Sequence, residues 1–154
     1  MKISHILIVA FITLFSINPA LGQTVTQTRA LSFGTGVITN NSAQHEILLN
    51  ADGSFSNDPE IIFETNPITG IYQLTGANPS ETLNINIVVD QQLLGPGTDF
   101  IIDNFDIDAP ATTSISGGAT IILGARMRTT GDSSAYANST TFTGQFTITA
   151  TTTP

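Results

Sequence analysis

The chain has 154 residues, twelve acidic and four basic, for a formal net charge of −8 at pH 7. That balance repels DNA, RNA and anionic lipid, so neither nucleic acid nor a membrane surface is expected as a partner. There is no Cys, so no disulfide limits the unfolded state and stability must come from burial and sheet hydrogen bonds.

The first 22 residues have the pattern of a secretory leader. Met1-Lys2 is a short positive start, residues 6–17 form an apolar run of 12, Asn18-Pro19 breaks it, and Ala20-Leu21-Gly22 puts small residues at −3 and −1 of a cleavage point before Gln23. The run is shorter than the roughly 20 residues that cross a bilayer, so no membrane span is expected after cleavage. Lys2 leaves with the leader, and the 132 residues that follow keep three arginines against twelve carboxylates, net −9. That length suits one domain with its own core. The expected organisation is a leader over 1–22, a short extension or edge strand over 23–30, and a single domain over 31–154.

Residues 23–30 are polar, with Thr24, Thr26 and Thr28 alternating against Val25, Gln27 and Arg29. Leu31 and Phe33 then share a face and stop at Gly34. A short strand is expected over 46–50 (EILLN), returning at Phe55 through Asp52-Gly53, a dipeptide in which both residues tolerate positive φ. Brief strands follow over 60–65 and 71–75, separated by Asn66-Pro67 and Thr69-Gly70. Over 82–89, Leu83, Ile85, Ile87 and Val89 share one parity; Gly95-Pro96-Gly97 is a turn. Residues 99–108 read as a strand with Ile101, Phe105 and Ile107 on one face. Over 119–127, Ile121, Leu123, Ala125 and Met127 face one way, Arg126 and Arg128 the other. The last strand, over 139–151, is the clearest. Phe142, Gly144, Phe146, Ile148 and Ala150 alternate with Thr141, Thr143, Gln145, Thr147 and Thr149.

Successive side chains of a strand point to opposite faces, so these stretches are half-buried and need a second layer. No window after residue 22 has a helical apolar stripe. Eight to ten short strands at intervals of about 8–12 residues predict an all-β sandwich.

Several of these stretches also line up with a known pattern. Leu31-Ser32-Phe33-Gly34, Tyr72-Gln73-Leu74-Thr75-Gly76 with Asn78-Pro79, Asp103-Asn104-Phe105, Ile122-Leu123-Gly124-Ala125 and Phe142-Thr143-Gly144-Gln145-Phe146-Thr147-Ile148-Thr149 occur in that order across residues 31–150. The chain thereby resembles an uncharacterised family of exported bacterial domains marked by LxFG, VTGxP, DNF, VGAxL and GxFTVTV. That family is similar to spore coat protein U (secreted pili) domains and to chaperone–usher pilins. The resemblance implies an immunoglobulin-like or pilin-like sandwich outside the cytoplasm, in the periplasm, on the cell surface or beyond it. It implies a part in pili, attachment or biofilm, and no catalytic residues. The chain departs from the family in having Phe142 where the pattern has Tyr, and in lacking a disulfide.

Asp103, Asn104, Asp106 and Asp108 are the densest acidic cluster, and hard oxygen ligands suit Ca²⁺, so Asp103, Asp106 and Asp108 are the metal candidates. Their alternation with Ile107 equally fits a solvated strand face, and no cofactor is expected. His45-Glu46 lacks a nucleophile elbow of the Gly-x-Ser-x-Gly type. Glu60 and Glu64 flank an apolar strand with no third polar group beside them, so no enzyme is expected. Asn40-Asn41-Ser42 and Asn138-Ser139-Thr140 are glycosylation sequons, relevant only in a eukaryotic secretory route. Arg126 and Arg128 are expected to pair with acidic residues within the sheet.

Two functions follow. The first is an exported structural or adhesive surface protein, a pilus- or fimbria-associated subunit meeting protein partners by β-strand addition. The second is a self-complete secreted or periplasmic module that recognises glycan or protein through the loops at 57–70 and 131–138. In the first, the 23–30 segment is a poor donor strand, because it carries few large apolar groups.

Overall fold

A computed structural model describes residues 6–8, 23–95, 98–136 and 140–154. The expected leader lies outside them except for residues 6–8, as do Pro96-Gly97 of one expected turn and residues 137–139, which hold most of the second sequon.

The described residues form strands and no helix. The strands are β1 (Ile6–Ile8), β2 (Thr24–Arg29), β3 (Thr35–Ile38), β4 (Glu46–Leu49), β5 (Phe55–Asn57), β6 (Ile61–Thr65), β7 (Gly70–Thr75), β8 (Thr82–Leu94), β9 (Ile101–Asp108), β10 (Ala119–Arg128) and β11 (Thr140–Thr153). One sheet has the order β6-β3-β1-β11-β8; the other runs β2-β7-β10-β4-β5, with β9 also paired to β10. The chain is an all-β sandwich, as its alternation predicts. All pairings are antiparallel except β1 with β11.

The core lies where the apolar parities of the two sheets meet. Phe142, Phe146, Ile148 and Ala150 of β11 are buried against Ile121, Leu123, Ala125 and Met127 of β10 and Tyr72 and Leu74 of β7, within one cluster. Ring pairs cross between the sheets: Tyr72–Phe146 at 6.4 Å, Phe105–Phe146 at 5.1 Å and Phe55–Phe63 at 5.4 Å between centroids. Most are near edge-to-face, the arrangement favoured by the ring quadrupole.

Of the two forms expected for 23–30, the edge strand is found: Thr24–Arg29 pairs along β7 at the margin of its sheet, and Val25 enters the core. Two expectations need correction. In β9 Phe105 packs against the core as expected, but Ile102 is buried in place of Ile101, and Ile107 is 38% exposed. Asp103 faces Arg126 and Asp106 faces Gly124, so Asn104 and Phe105 together oppose Ala125 alone. Asn104 takes φ 47° at this bulge, and the extra residue reverses the parity. The β4–β5 turn is not a two-residue one either. Asn50 N–H bonds Ser54 O at 2.9 Å, Gly53 N–H bonds Asn50 O at 3.0 Å, and Gly53 alone in this turn has positive φ, 87°. That is a three-residue loop with glycine in the left-handed position.

Two substitutions test the packing. Phe146 is 2% exposed, and Phe146→Ala is expected to cost about 3–5 kcal/mol in a urea titration of the purified protein. A Cβ on Gly124 would stand 2.1 Å from Leu49 O, so Gly124→Ala must part β10 from the β4 end and lower the midpoint in the same titration.

Candidate strand-acceptor site

The sheet holding β11 has an unusual centre. β3 pairs outward with β6, and β11 pairs outward with β8 along nearly its whole length. Their other edges both meet β1. Ile6, Leu7 and Ile8 run parallel to Thr140, Thr141 and Phe142, while Ile6 and Leu7 run antiparallel to Gly36 and Thr35. Beyond Phe142, the β11 edge facing β1 has no ladder partner among the described residues.

The two rims are neutral: Thr35-Gly36-Val37-Ile38 on one side and the Thr- and Phe-rich β11 on the other carry no charged residue. Phe142 of β11 is fully buried and packs edge-on to Phe100 at 4.8 Å, and Phe100 stacks on Tyr136 at 4.2 Å. Gly95 leaves room for this ring, since a Cβ there would come within 2.4 Å of Phe142. Burial pushes the Tyr136 hydroxyl above its ordinary range, and the hydroxyl accepts Thr130 N–H at 3.1 Å. Uncharged strands on both sides of β1 suit an apolar neighbour, because a charge buried between them would lose its hydration with no counter-ion to meet it.

The acidic cluster disperses. Asp103 accepts from Arg126 Nε at 2.7 Å and pairs with the Arg128 guanidinium. Asp106 accepts the Ala51 N–H at 2.7 Å, tying the β4–β5 turn to β9. Asp108 is exposed at the strand end. No group of three His, Asp or Glu side chains converges to hold a metal among the described residues. Arg126 also reaches Glu46 at 3.5 Å, and Arg128 donates to Gln44 at 2.7 Å, so both arginines pair within the sheet as expected.

His45 is buried just before β4. Its Nδ1 lies 3.3 Å from Glu60 and 3.6 Å from Asp58, so Glu60 does have a polar neighbour. The backbone of His45 exchanges bonds with Thr129, N–H to Oγ1 at 2.9 Å and O from N–H at 2.8 Å. His45 thus staples the end of β10 to the turn before β6. Its Nε2 is buried without a hydrogen-bond partner among the described residues. Of the recognition loops, 57–70 contains β6. The start of 131–138 is held by Asn41, which donates to Thr130 and Asp132 at 3.2 Å and to Ser134 O at 3.0 Å and accepts from Gly131 N–H. Asn40 of the first sequon caps Ser42 N–H at 2.9 Å. A cleft of about 540 Å³ opens between β7, β10 and the 110–118 loop, lined by Gln73, Thr75, Thr112, Ser114 and Thr120 among others, none titratable.

At the opposite margin of the sandwich, Glu81 accepts from Thr152 and from Asn78 at 2.7 Å, and Thr152 accepts from Gln23 Nε2 at 2.7 Å. The bonds from Thr152, then Asn78, hold the Glu81 carboxyl below its ordinary value of 4.5. The Arg126 hydrogen bond, chiefly, holds Asp103 below 3.8.

No family model matches the chain, and no curated protein or solved structure matches it either. Among the described residues no helix is long and apolar enough to cross a membrane.

Both depressed carboxyls favour the folded state when ionised. Their contribution is complete above the ordinary values of 4.5 and 3.8 and is lost as pH falls through the lower folded values. The melting temperature is expected to drop as pH falls below about 4. Asp103→Asn with Glu81→Gln should lower stability at pH 7 and flatten that acid-side slope.

Proposed function

We propose that this is an exported structural or adhesive surface protein whose mature sandwich accepts a β-strand from a partner. One observation carries the reading: the strand between β3 and β11 is Ile6–Ile8, and it belongs to the segment that reads as a cleavable leader. Loss of that leader leaves β3 and β11 as two facing edges. Neighbouring strands lie about 4.8 Å apart, so the two edges stand roughly 10 Å from each other, too far for direct hydrogen bonds. Unpaired backbone along a neutral, apolar slot is a template for strand addition, in which main-chain bonds supply affinity and alternate side chains supply selectivity. The order of motifs shared with exported pilin-like domains supports a pilus- or fimbria-associated role in attachment.

Two measurements test this on protein exported from the full-length gene. Hydrogen exchange should show the amides of Thr35–Ile38 and of the β11 edge exchanging faster, by roughly a hundredfold, than those at the centre of β10. Equal protection would mean the mature sandwich is closed. Protease treatment of intact cells should remove the protein, and its deletion should reduce attachment; a protein that stays inside the cell with residues 1–22 attached would sink the surface role.

A further inference from the structure

We infer that the free edge of β8 is an interface between two copies of this chain, which pair it antiparallel about a two-fold axis at Ile87. The inference does not rest on the acceptor reading above, which concerns β3 and β11.

The ladder between β8 and β11 runs without a shift from Thr82 opposite Thr153 to Val89 opposite Phe146. In an antiparallel strand the N–H and C=O of one residue point to the same side, and successive residues alternate between sides. Leu83 N–H bonds Ala111 O at 2.9 Å, so Leu83 points away from β11. Ile85, Ile87 and Val89 share its parity and point the same way. Their outward groups have no ladder, bridge or turn partner among the described residues. The edge is closed on either side of them, by Thr82 with Thr112 and by Leu93 with Phe100. The other sheet margins are blunted by being short, as edges commonly are. β5 has three residues, β6 five, and β2 six with Arg29 at its end. β8 has thirteen, and none is Lys, Arg or Pro.

This edge is complementary to itself. Turned about Ile87, it sets Ile85 against Val89 of the second copy and Ile87 against Ile87. Each of these pairs exchanges both main-chain bonds. Their side chains lie on the core side, opposite Ala150, Ile148 and Phe146, and are only half-buried. Pairing therefore covers apolar surface that one sandwich leaves open, and β-branched residues suit the contact. On the other face Val88, 50% exposed, meets Asn86, and Asp90 meets Asn84. Asp90 is the one charged residue of β8, and this register sets it against an amide instead of its own counterpart. Like charges directly opposed destabilise a sheet, so the register at Ile87 avoids that cost. Each copy uses its β8 edge once, so the two-fold contact closes at a dimer.

The test uses protein exported from the full-length gene. Light scattering behind size exclusion should show monomer giving way to dimer, and to nothing larger, as concentration rises. With twelve acidic residues against four basic, two copies repel, so added salt should favour the dimer. Residue-resolved hydrogen exchange should slow by roughly tenfold or more at Ile85, Ile87 and Val89 on dimerisation. Asn84, Asn86 and Val88, which point to β11, should keep their rates. Asn86→Asp sets a carboxylate diagonally across from Asp90 and from its own counterpart on the second copy, about 7–8 Å away. It should weaken the dimer about tenfold at low salt, less at high salt, with the monomer's melting temperature unchanged. Val88→Asp makes a like-charge contact across the axis from the facing position and serves as the second variant. A monomer at every concentration, a series of multimers beyond the dimer, or a dimer untouched by both variants would overturn the inference. So would a dimer whose protection falls elsewhere than on alternate residues of β8. Exchange at Thr35–Ile38 and along the β11 edge reads the acceptor proposal separately, so either can fail alone.

Discussion

The inward face of β11 is the surface on which both sheets depend. Phe142, Phe146, Ile148 and Ala150 are each at most 4% exposed, and their rings meet Phe100, Tyr72 and Phe105 of the opposing elements. A strand apolar on one side and threonine-rich on the other can be stable only as half of a sandwich. Its backbone imposes a second demand, since both of its edges need hydrogen-bond partners or water. β8 meets that demand on one side with a long antiparallel ladder, accommodated by irregular register around Gly144 and Gln145. On the other side the partner is Ile6–Ile8. The proposed function follows from that asymmetry.

Without disulfides, the loops are held by polar groups that bridge distant parts of the sequence. His45 and Thr129 exchange backbone and side-chain bonds, Asn41 gathers the 130–134 turn, Asp106 holds the β4–β5 turn, and Asp103 fastens two arginines of β10. Each links residues far apart in sequence but adjacent in the sheets, so each contributes only once the strands are in register. They also account for the acidic cluster and the lone mature histidine in structural terms. The three arginines after residue 22 are all bonded within the chain.

Much of the fold was legible because a strand repeats with period two. The parities of β10 and β11 and the Asp-Gly hairpin are written in adjacent residues, and nothing distant is needed to read them. Legibility failed where one residue changed the phase. Asn104 at positive φ turned the buried face of β9 from Ile101 to Ile102, and alternation carries no sign of a bulge. It was partial for 23–30, readable as an extension or an edge strand, because pairing to β7 is a long-range choice. The place of Ile6–Ile8 between β3 and β11 was the least legible feature. Residues 6–17 have the apolarity of a leader, and that reading masked the β-branched character that lets Ile6–Ile8 sit in a sheet.

Local sequence therefore settled the element type, the faces of the strongest strands and the sandwich class, since these depend on neighbouring side chains and burial alone. Tertiary structure decided which strands are neighbours, that Asp103 meets arginines, that segment 23–30 is held in β2, and that β3 and β11 both pair with Ile6–Ile8. Those outcomes depend on chain closure over long separations, where the competing pairings have similar local chemistry and only the complete set of ladders and packed rings distinguishes them.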